Sequence, residues 1–268
     1  AYGCQYSYVE YALSAGLAIL FDSSPLVITP RSDETASWDA TAMHTLTVGN
    51  SQAITDSFDF TYYSDLGWTV TLLDSSMFPL TDTNLDGAPD TGDLLSGQFE
   101  TYYVLVDVPA APTASEEITY LSLTSFNDVS LTRMSLLVTH TFPAQFVDVH
   151  YDYADDADFD GDYDTLYIVV AVEAVEDATV NLELYLKDVS MTTFAYYYDY
   201  LNVSVGLSYF EVAISGEEIF ANGGDGPYYV DIVMYDEYGD AIDYYYDYET
   251  GPYAYIDFDP PAAVFSSP

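Results

Sequence analysis

The sequence predicts an all-β protein: two β-sandwiches in tandem, preceded by a strand that is either an extra edge or a donation to a neighbouring chain. Three observations carry this. From residue 25 onward, short runs alternating apolar with polar are separated by Gly, Asp, Asn and Pro, the pattern of strands joined by turns. The acid is mostly a turn residue: of 45 acidic side chains, 13 are Glu and 32 are Asp, and Asp favours loops over helices. The chain has 268 residues, 50% of them hydrophobic and 17% aromatic. That is long for one module and rich enough in apolar material for packed cores, unlike a disordered acidic tail.

Residues 1–24 read as a strand segment without a local mate. "CQYSYVEYALS" alternates, placing Tyr6 and Tyr8 on one face and Val9 and Tyr11 on the other. With Leu13, these are the assembly candidates. They would either add an edge to the first sandwich or pair with the open edge of another subunit. Residues 25–142 then supply about seven strands: "PLVITP", "HTLTV", "SFDFTYY", "GWTVTLL", "FETYYVLVDV", "ITYLSLTSF" and "MSLLVTHT". Seven short strands at this spacing match an immunoglobulin-like sandwich, with Trp68 as a core aromatic. "TFPAQF" marks the junction. Residues 143–259 repeat the style with "TLYIVVAVEA", "ATVNLELYLKD", "YLNVSVGL", "YFEVAIS", "YYVDIVMYD", "AIDYYYDY" and "YAYIDF". "SGEEIFANG" has room for one helical turn, and residues 260–268 form a Pro-containing tail.

The charge excludes whole classes of partner. Three Lys and Arg against 45 acids give a formal net charge of −42. Such a surface repels phosphate backbones, so no nucleic acid is expected, and anionic membrane surfaces are disfavoured. Like charges about 4 Å apart repel by ~1 kcal/mol even in water. Internal ion pairs cannot offset that here; saline or acid surroundings could, and so could bound cations. Cys4 is the sole cysteine, which rules out an intrachain disulfide and a multi-cysteine zinc site. It reads as a buried thiol or an intermolecular link. The apolar run Ala12 to Phe21 is too short to span a membrane and has no basic flank. No membrane insertion is expected, and the chain reads as the processed form of a secreted protein.

Two loops have the spacing of a calcium site. In "DTNLDGAPDTGD", oxygen ligands recur at Asp82, Asn84 and Asp86 before Gly87, with the Ala88 carbonyl, Asp90 and Asp93 to complete the set. In "DADFDGDYD", Asp156, Asp158 and Asp160 precede Gly161, followed by the Asp162 carbonyl and Asp164. Ca²⁺ takes six to eight oxygens at about 2.3–2.6 Å, and alternate acids followed by Gly wrap a loop around it. Neither flank is helical, so these are not EF-hands. An Asp-rich turn without metal is the alternative for each.

With these loops, "HTLTVGNSQAITDSFDFTYYSDLGWTVTLLDSS" and "PLTDTNLDGAPDTGDL" resemble the immunoglobulin-like repeat modules of secreted bacterial and archaeal surface proteins. The shared features are a "TLTV-x-N" strand, a "WTV" strand and a "D-x-N-x-D-G-x-x-D" loop, over roughly residues 32–141. The second half is similar to another β-sandwich module of such proteins. The resemblance implies extracellular, calcium-stabilised, non-catalytic repeats, with the loop residues above as ligands. The chain departs from the pattern in its scarcity of Lys and Arg and its excess of Tyr.

Tyrosine occurs 29 times, and "YYYDY" appears at 196–200 and again at 244–248. Alternation forces some of these rings outward. They either replace Lys and Thr on exposed faces, make subunit contacts or stack on surface glycans. His44, His140 and His150 have no ligand spacing, and no nucleophile elbow or phosphate-binding loop is present. No catalytic residue is assigned, and no enzymatic activity is expected. Asn202 in "NVS" is a glycosylation sequon. Together these readings predict a secreted structural subunit of a filament or cell-surface assembly, stabilised by two Ca²⁺ ions and joined to copies of itself. The other reading is a carbohydrate-binding or adhesin-type module.

Overall fold

The computed structural model describes residues 25–261. Cys4, Tyr6, Tyr8, Val9, Tyr11 and Leu13 lie outside the described residues, as do residues 262–268. The described residues are all-β, with fifteen strands in four sheets.

Eight strands come first: β1 (Leu26–Ile28), β2 (Arg31–Thr35), β3 (Thr41–Asn50), β4 (Phe58–Ser64), β5 (Thr69–Leu73), β6 (Phe99–Asp107), β7 (Glu116–Ser125) and β8 (Thr132–His140). They form two sheets of order β1-β3-β6-β5 and β2-β8-β7-β4. Lettered by position, these are A-B-E-D facing A′-G-F-C, the immunoglobulin arrangement. Period-2 alternation supplies the core between them. Leu46, Val48, Phe58, Phe60, Trp68, Tyr102, Leu121 and Leu137 are all buried in one cluster. Fully burying such a side chain stabilises by about 1.5–3 kcal/mol.

The extra strand relative to the sequence reading is β2. Its residues, "RSDET", carry no apolar signal, because it is a sheet edge that pairs with β8 in parallel and alternates between exposed and half-buried. Pro30 separates β1 from β2 and lets the chain change sheets. With β1 and β2 in place, both N-terminal strand positions of this sandwich are filled without residues 1–24.

Seven strands follow: β9 (Ala144–Asp155), β10 (Thr165–Ala174), β11 (Ala178–Lys187), β12 (Thr193–Val203), β13 (Gly206–Ser215), β14 (Tyr229–Tyr235) and β15 (Ala241–Glu249). The sheets run β13-β10-β9 and β12-β11-β14-β15. The core between them includes Leu166, Ile168, Val170, Leu182, Leu184, Val230, Ile232 and Phe258. The two halves differ in where one strand goes. Asp188 closes a tight turn by accepting the Ser190 and Thr192 N–H groups, so β12 stays beside β11. In the first half, Asp65–Trp68 carries the chain across, with the Trp68 ring sunk in the core, and β5 joins β6.

Several expectations need correction. β9 begins at Ala144, inside the stretch read as a junction. "YLNVSVGL" is not one strand: β12 ends at Val203 and β13 starts at Gly206, whose φ of 96° makes the turn. "YAYIDF" contains a 3-10 turn, Tyr255–Asp257, and only an isolated bridge between Phe258 and Tyr163. "SGEEIFANG" forms a seven-residue helix, α1 (Gly216–Asn222), ended by left-handed Gly223. Among the described residues, no helix is long and apolar enough to cross a membrane.

His44 is fully buried on β3, with Nε2 2.9 Å from Thr139 Oγ1 and no hydrogen-bond partner at Nδ1. Burial pushes its pKa down to about 4, against a smaller opposing pull from Asp33. The unfolded chain therefore takes up this proton at higher pH than the folded one. The stability His44 contributes is present above its unfolded pKa of about 6.5 and is lost as pH falls toward 4. Denaturant melts of parent and His44→Leu at pH 7 and pH 4.5 should show the parent losing more stability, by about 2 kcal/mol. Equal losses would mean that His44 is charged in the native state.

Candidate metal centres

The two acidic loops share much of one hydrogen-bond pattern and differ at the first acid, where Asp82 Oδ1 accepts Leu85 and Asp86 N–H. The first connects β5 to β6 and the second connects β9 to β10. In each, the first acid turns back onto the loop glycine: Gly87 N–H donates to Asp82 Oδ2 (2.8 Å), and Gly161 N–H to Asp156 Oδ2 (3.1 Å). Asp86 N–H donates to Asn84 Oδ1, and Asp160 N–H to Asp158 Oδ1, both at 3.1 Å. Ala88 N–H meets Asp86 Oδ1 and Asp162 N–H meets Asp160 Oδ1, both at 3.0 Å. The final acid gathers the start of each loop. Asp90 Oδ2 accepts Thr83 and Asn84 N–H at 2.7 and 3.2 Å, and Asp164 Oδ2 accepts Ala157 and Asp158 N–H at 2.5 and 3.3 Å.

The backbones agree as well. Gly87 and Gly161 sit at φ 102° and 108°, values that L side chains rarely adopt. Leu85 and Phe159, at φ 64° in both loops, hold a left-handed conformation that is costly for such residues. Both side chains are almost wholly exposed, at 87% and 88%, so apolar burial does not account for that conformation.

In the second loop the acids fall into two groups. Asp156, Asp158 and Asp164 bring carboxylate oxygens within 4.8 Å of one another, as do Asp160, Asp162 and Asp259. Asp156 Oδ1 is buried with no hydrogen-bond partner. Asp162 contributes its carboxylate here, whereas the sequence offered its carbonyl. Asp259 was not foreseen: it is carried past the 3-10 turn and held by its own N–H donating to the Tyr163 carbonyl (3.1 Å). Desolvation, followed by hydrogen bonding to Asp164 and repulsion from Asp164, Asp160 and Asp158, pushes its carboxyl up to about 6.

The first loop is less charged. Asn84 stands where the second has Asp158, and its Nδ2 donates to Asp59 on β4 (3.1 Å). Asp59 is the counterpart of Asp259, an acid from outside the loop. Burial raises its pKa, the Asn84 bond lowers it, and Asp86 raises it further, for a net upward shift. Asp90 is more a structural hub than an open ligand. It is buried, and its Oδ1 takes Thr83 Oγ1 and Gly92 N–H, both at 2.6 Å, in addition to the two donors at Oδ2. Burial raises the Asp90 carboxyl, but the bonds from Thr83, Gly92 and Asn84 outweigh that and hold it below its usual range. Asp93 is exposed and stands outside this network. No spacing signal pointed to Asp59 or Asp259, since both come from distant segments.

The other singled-out residues do not converge on these loops. Asn202 is exposed at the end of β12, its Oδ1 accepting Thr179 Oγ1 (3.0 Å), and it lines a cleft with Glu176, Asp177, Asp236 and Glu237. His140 lies 3.6 Å from a Glu116 oxygen, and His150 lies between the Tyr151 and Tyr209 rings at 5.2 and 5.1 Å.

No protein-family model matches the sequence, and no curated protein matches it. Solved structures give distant likenesses. A DUF4785 family protein from Legionella pneumophila is 10% identical with a TM-score of 0.33, over 83% of this chain and 56% of that one. The secreted serine protease VesC from Vibrio cholerae is 9% identical with a TM-score of 0.31, over 86% of this chain and 48% of that one. The C-terminal domain of the Streptococcus agalactiae antigen I/II polypeptide BspA is 8% identical with a TM-score of 0.30, over 78% of this chain and 92% of that one. The chain thus spans about half the length of the first two. Likeness at this level carries no argument about function.

Asp90→Ala leaves four donors without an acceptor and should destabilise the fold by about 3 kcal/mol even in chelator. Asp93→Ala should stay within about 0.5 kcal/mol of the parent. Chemical denaturation of both variants checks this; equal, small effects would remove Asp90 as the hub.

Proposed function

We propose that the chain is a calcium-stabilised structural module of an extracellular or cell-surface assembly that contacts copies of itself. The observation that supports this most directly is the loop geometry repeated in two β-sandwiches of otherwise different topology. Both loops recruit an acid from outside, Asp59 or Asp259, and both hold a bulky exposed residue in a left-handed conformation. Ca²⁺ fits the donor set, which is all oxygen, largely carboxylate and flexible in number. Asp82, Asn84, Asp86 and Asp59 would hold one ion. Asp156, Asp158, Asp160, Asp162, Asp164 and Asp259 would hold the other. Bound calcium would neutralise charge where acids crowd and tie each loop to a segment that sequence keeps apart, stiffening the sandwich.

The filled strand positions of the first sandwich bear on how copies would meet. Strand donation by residues 1–24 would have to extend a sheet edge, since no strand position between β1 and β8 is vacant. A binding-module reading is favoured by one observation, the exposed tyrosine rows of β12 and β15.

The second loop offers more carboxylates than the first and should bind calcium more tightly. Calcium at millimolar concentration should raise the melting temperature of the parent. Asp160→Ala should abolish most of that rise, Asp86→Ala a smaller part, and neither should matter in chelator. Differential scanning calorimetry decides it. Identical calcium responses in parent and both variants would overturn the assignment.

A further inference from the structure

The outer face of sheet β12-β11-β14-β15 differs from the rest of this acidic surface. Its centre is Glu183 on β11, whose carboxylate accepts three phenols: Tyr185 at 2.6 Å, Tyr196 at 3.0 Å and Tyr235 at 3.0 Å. Beside it Lys187, one of three basic residues in the chain, is paired with Asp231, and both side chains are largely covered. Each edge strand then carries a row of tyrosines. Tyr196, Tyr198 and Tyr200 stand on β12 at 50%, 44% and 59% exposure, and Tyr244 and Tyr246 on β15 at 49% and 59%. Tyr244 and Tyr246 stack with centroids 5.8 Å apart and planes 13° apart; Tyr198 and Tyr200 meet edge to face at 5.4 Å.

We propose that this tyrosine face is the surface on which a second copy of the chain docks face to face, an inference that rests on the self-assembly reading above. Three features select a second copy. First, a chain of net charge −42 approaches itself most readily where bare charge is sparse. Here Lys187 offsets part of the charge of Asp231 and Asp247, and phenols occupy the Glu183 carboxylate. Second, the face nearly repeats itself, with "YYYDY" on both edge strands flanking one polar centre. A two-fold axis through that centre lays each β12 row over a β15 row, which is the self-complementarity an isologous contact needs. Third, the area suffices. A tyrosine buries 150–250 Å² when covered, so five half-exposed rings offer roughly 500 Å² per copy. That is about 1,000 Å² in total, the lower bound for a specific interface. Tyrosine enrichment is also a mark of interfaces.

Sedimentation velocity of the full chain in calcium, across a hundredfold range of concentration, tests this. The face variant is Tyr198→Ser with Tyr244→Ser, which leaves the three Glu183 phenols in place. Tyr151→Ser with Tyr209→Ser, on the opposite sheet, is the control. The parent and the control should associate alike, and the face variant at least tenfold more weakly with an unchanged melting temperature. Should that variant misfold, Tyr200→Ser with Tyr246→Ser probes the same face at other rings. A folded face variant that associates like the parent overturns the docking face and leaves the assembly reading standing. A parent that stays monomeric throughout overturns both. A monomeric parent retained on insoluble cellulose, with retention lost in the face variant, overturns the second copy in favour of a glycan.

Discussion

The constraint on which the structure depends is the want of cationic partners for its carboxylates. With 45 acids and three basic side chains, the chain cannot pair its charges, so it holds them with neutral donors. Among side chains, tyrosine is the most used. The phenols of Tyr185, Tyr196 and Tyr235 converge on Glu183; those of Tyr248 and Tyr253 reach Asp152; Tyr245 reaches Asp148 and Tyr153 reaches Glu211. A phenol bound to a carboxylate satisfies its lone pairs in a hydrogen bond stronger than a neutral pair. It does so on a side chain that also packs as an aromatic. The tyrosine excess thereby acquires a structural reason beyond filling exposed strand positions. Tyr245 and Tyr248 donate from β15 to acids on β9, which ties the edge of one sheet to the edge of the sheet facing it.

Backbone N–H groups are the other neutral donor, and the more numerous. Asp74, Asp188 and Asp236 each close a turn by accepting amides two and four residues on. The acidic loops use the same device but carry more acid than local amides can serve. On the reading proposed above, that surplus is where a divalent cation would sit, beside the buried, unpartnered Asp156 Oδ1.

Much of this was legible in the sequence, and what escaped did so for physical reasons. The strands with clean alternation, such as β3 and β7, and the core role of Trp68 follow from apolar periodicity. β2 did not, because a parallel edge strand of "RSDET" buries too little to leave a pattern. β9 was obscured by Pro143 just before it and by register shifts opposite Val169 and Val170 and opposite Ala171 and Val172 that break its alternation. The hydrogen-bonded turns of the two acidic loops follow from residue spacing, since each loop is a local object. The places of Asp59 and Asp259 do not, since tertiary folding alone brings them there. Glu183 was equally hidden: nothing local says that three phenols on three strands will meet on one carboxylate.

The direct measurement is an alkaline titration that follows tyrosinate absorbance and backbone circular dichroism together. The phenols held on carboxylates have raised pKa values. Tyr153, for instance, is pushed up to about 12 by desolvation, with the Glu211 bond and charge adding to it. A raised pKa contributes stability below the unfolded value of about 10, and that stability is lost as pH climbs toward the folded value. If tyrosine holds the acids in place, a large share of the absorbance change should be delayed past pH 10 and arrive with the loss of β-structure. Ionisation of nearly all tyrosines near pH 10, with the circular dichroism still native, would contradict the account.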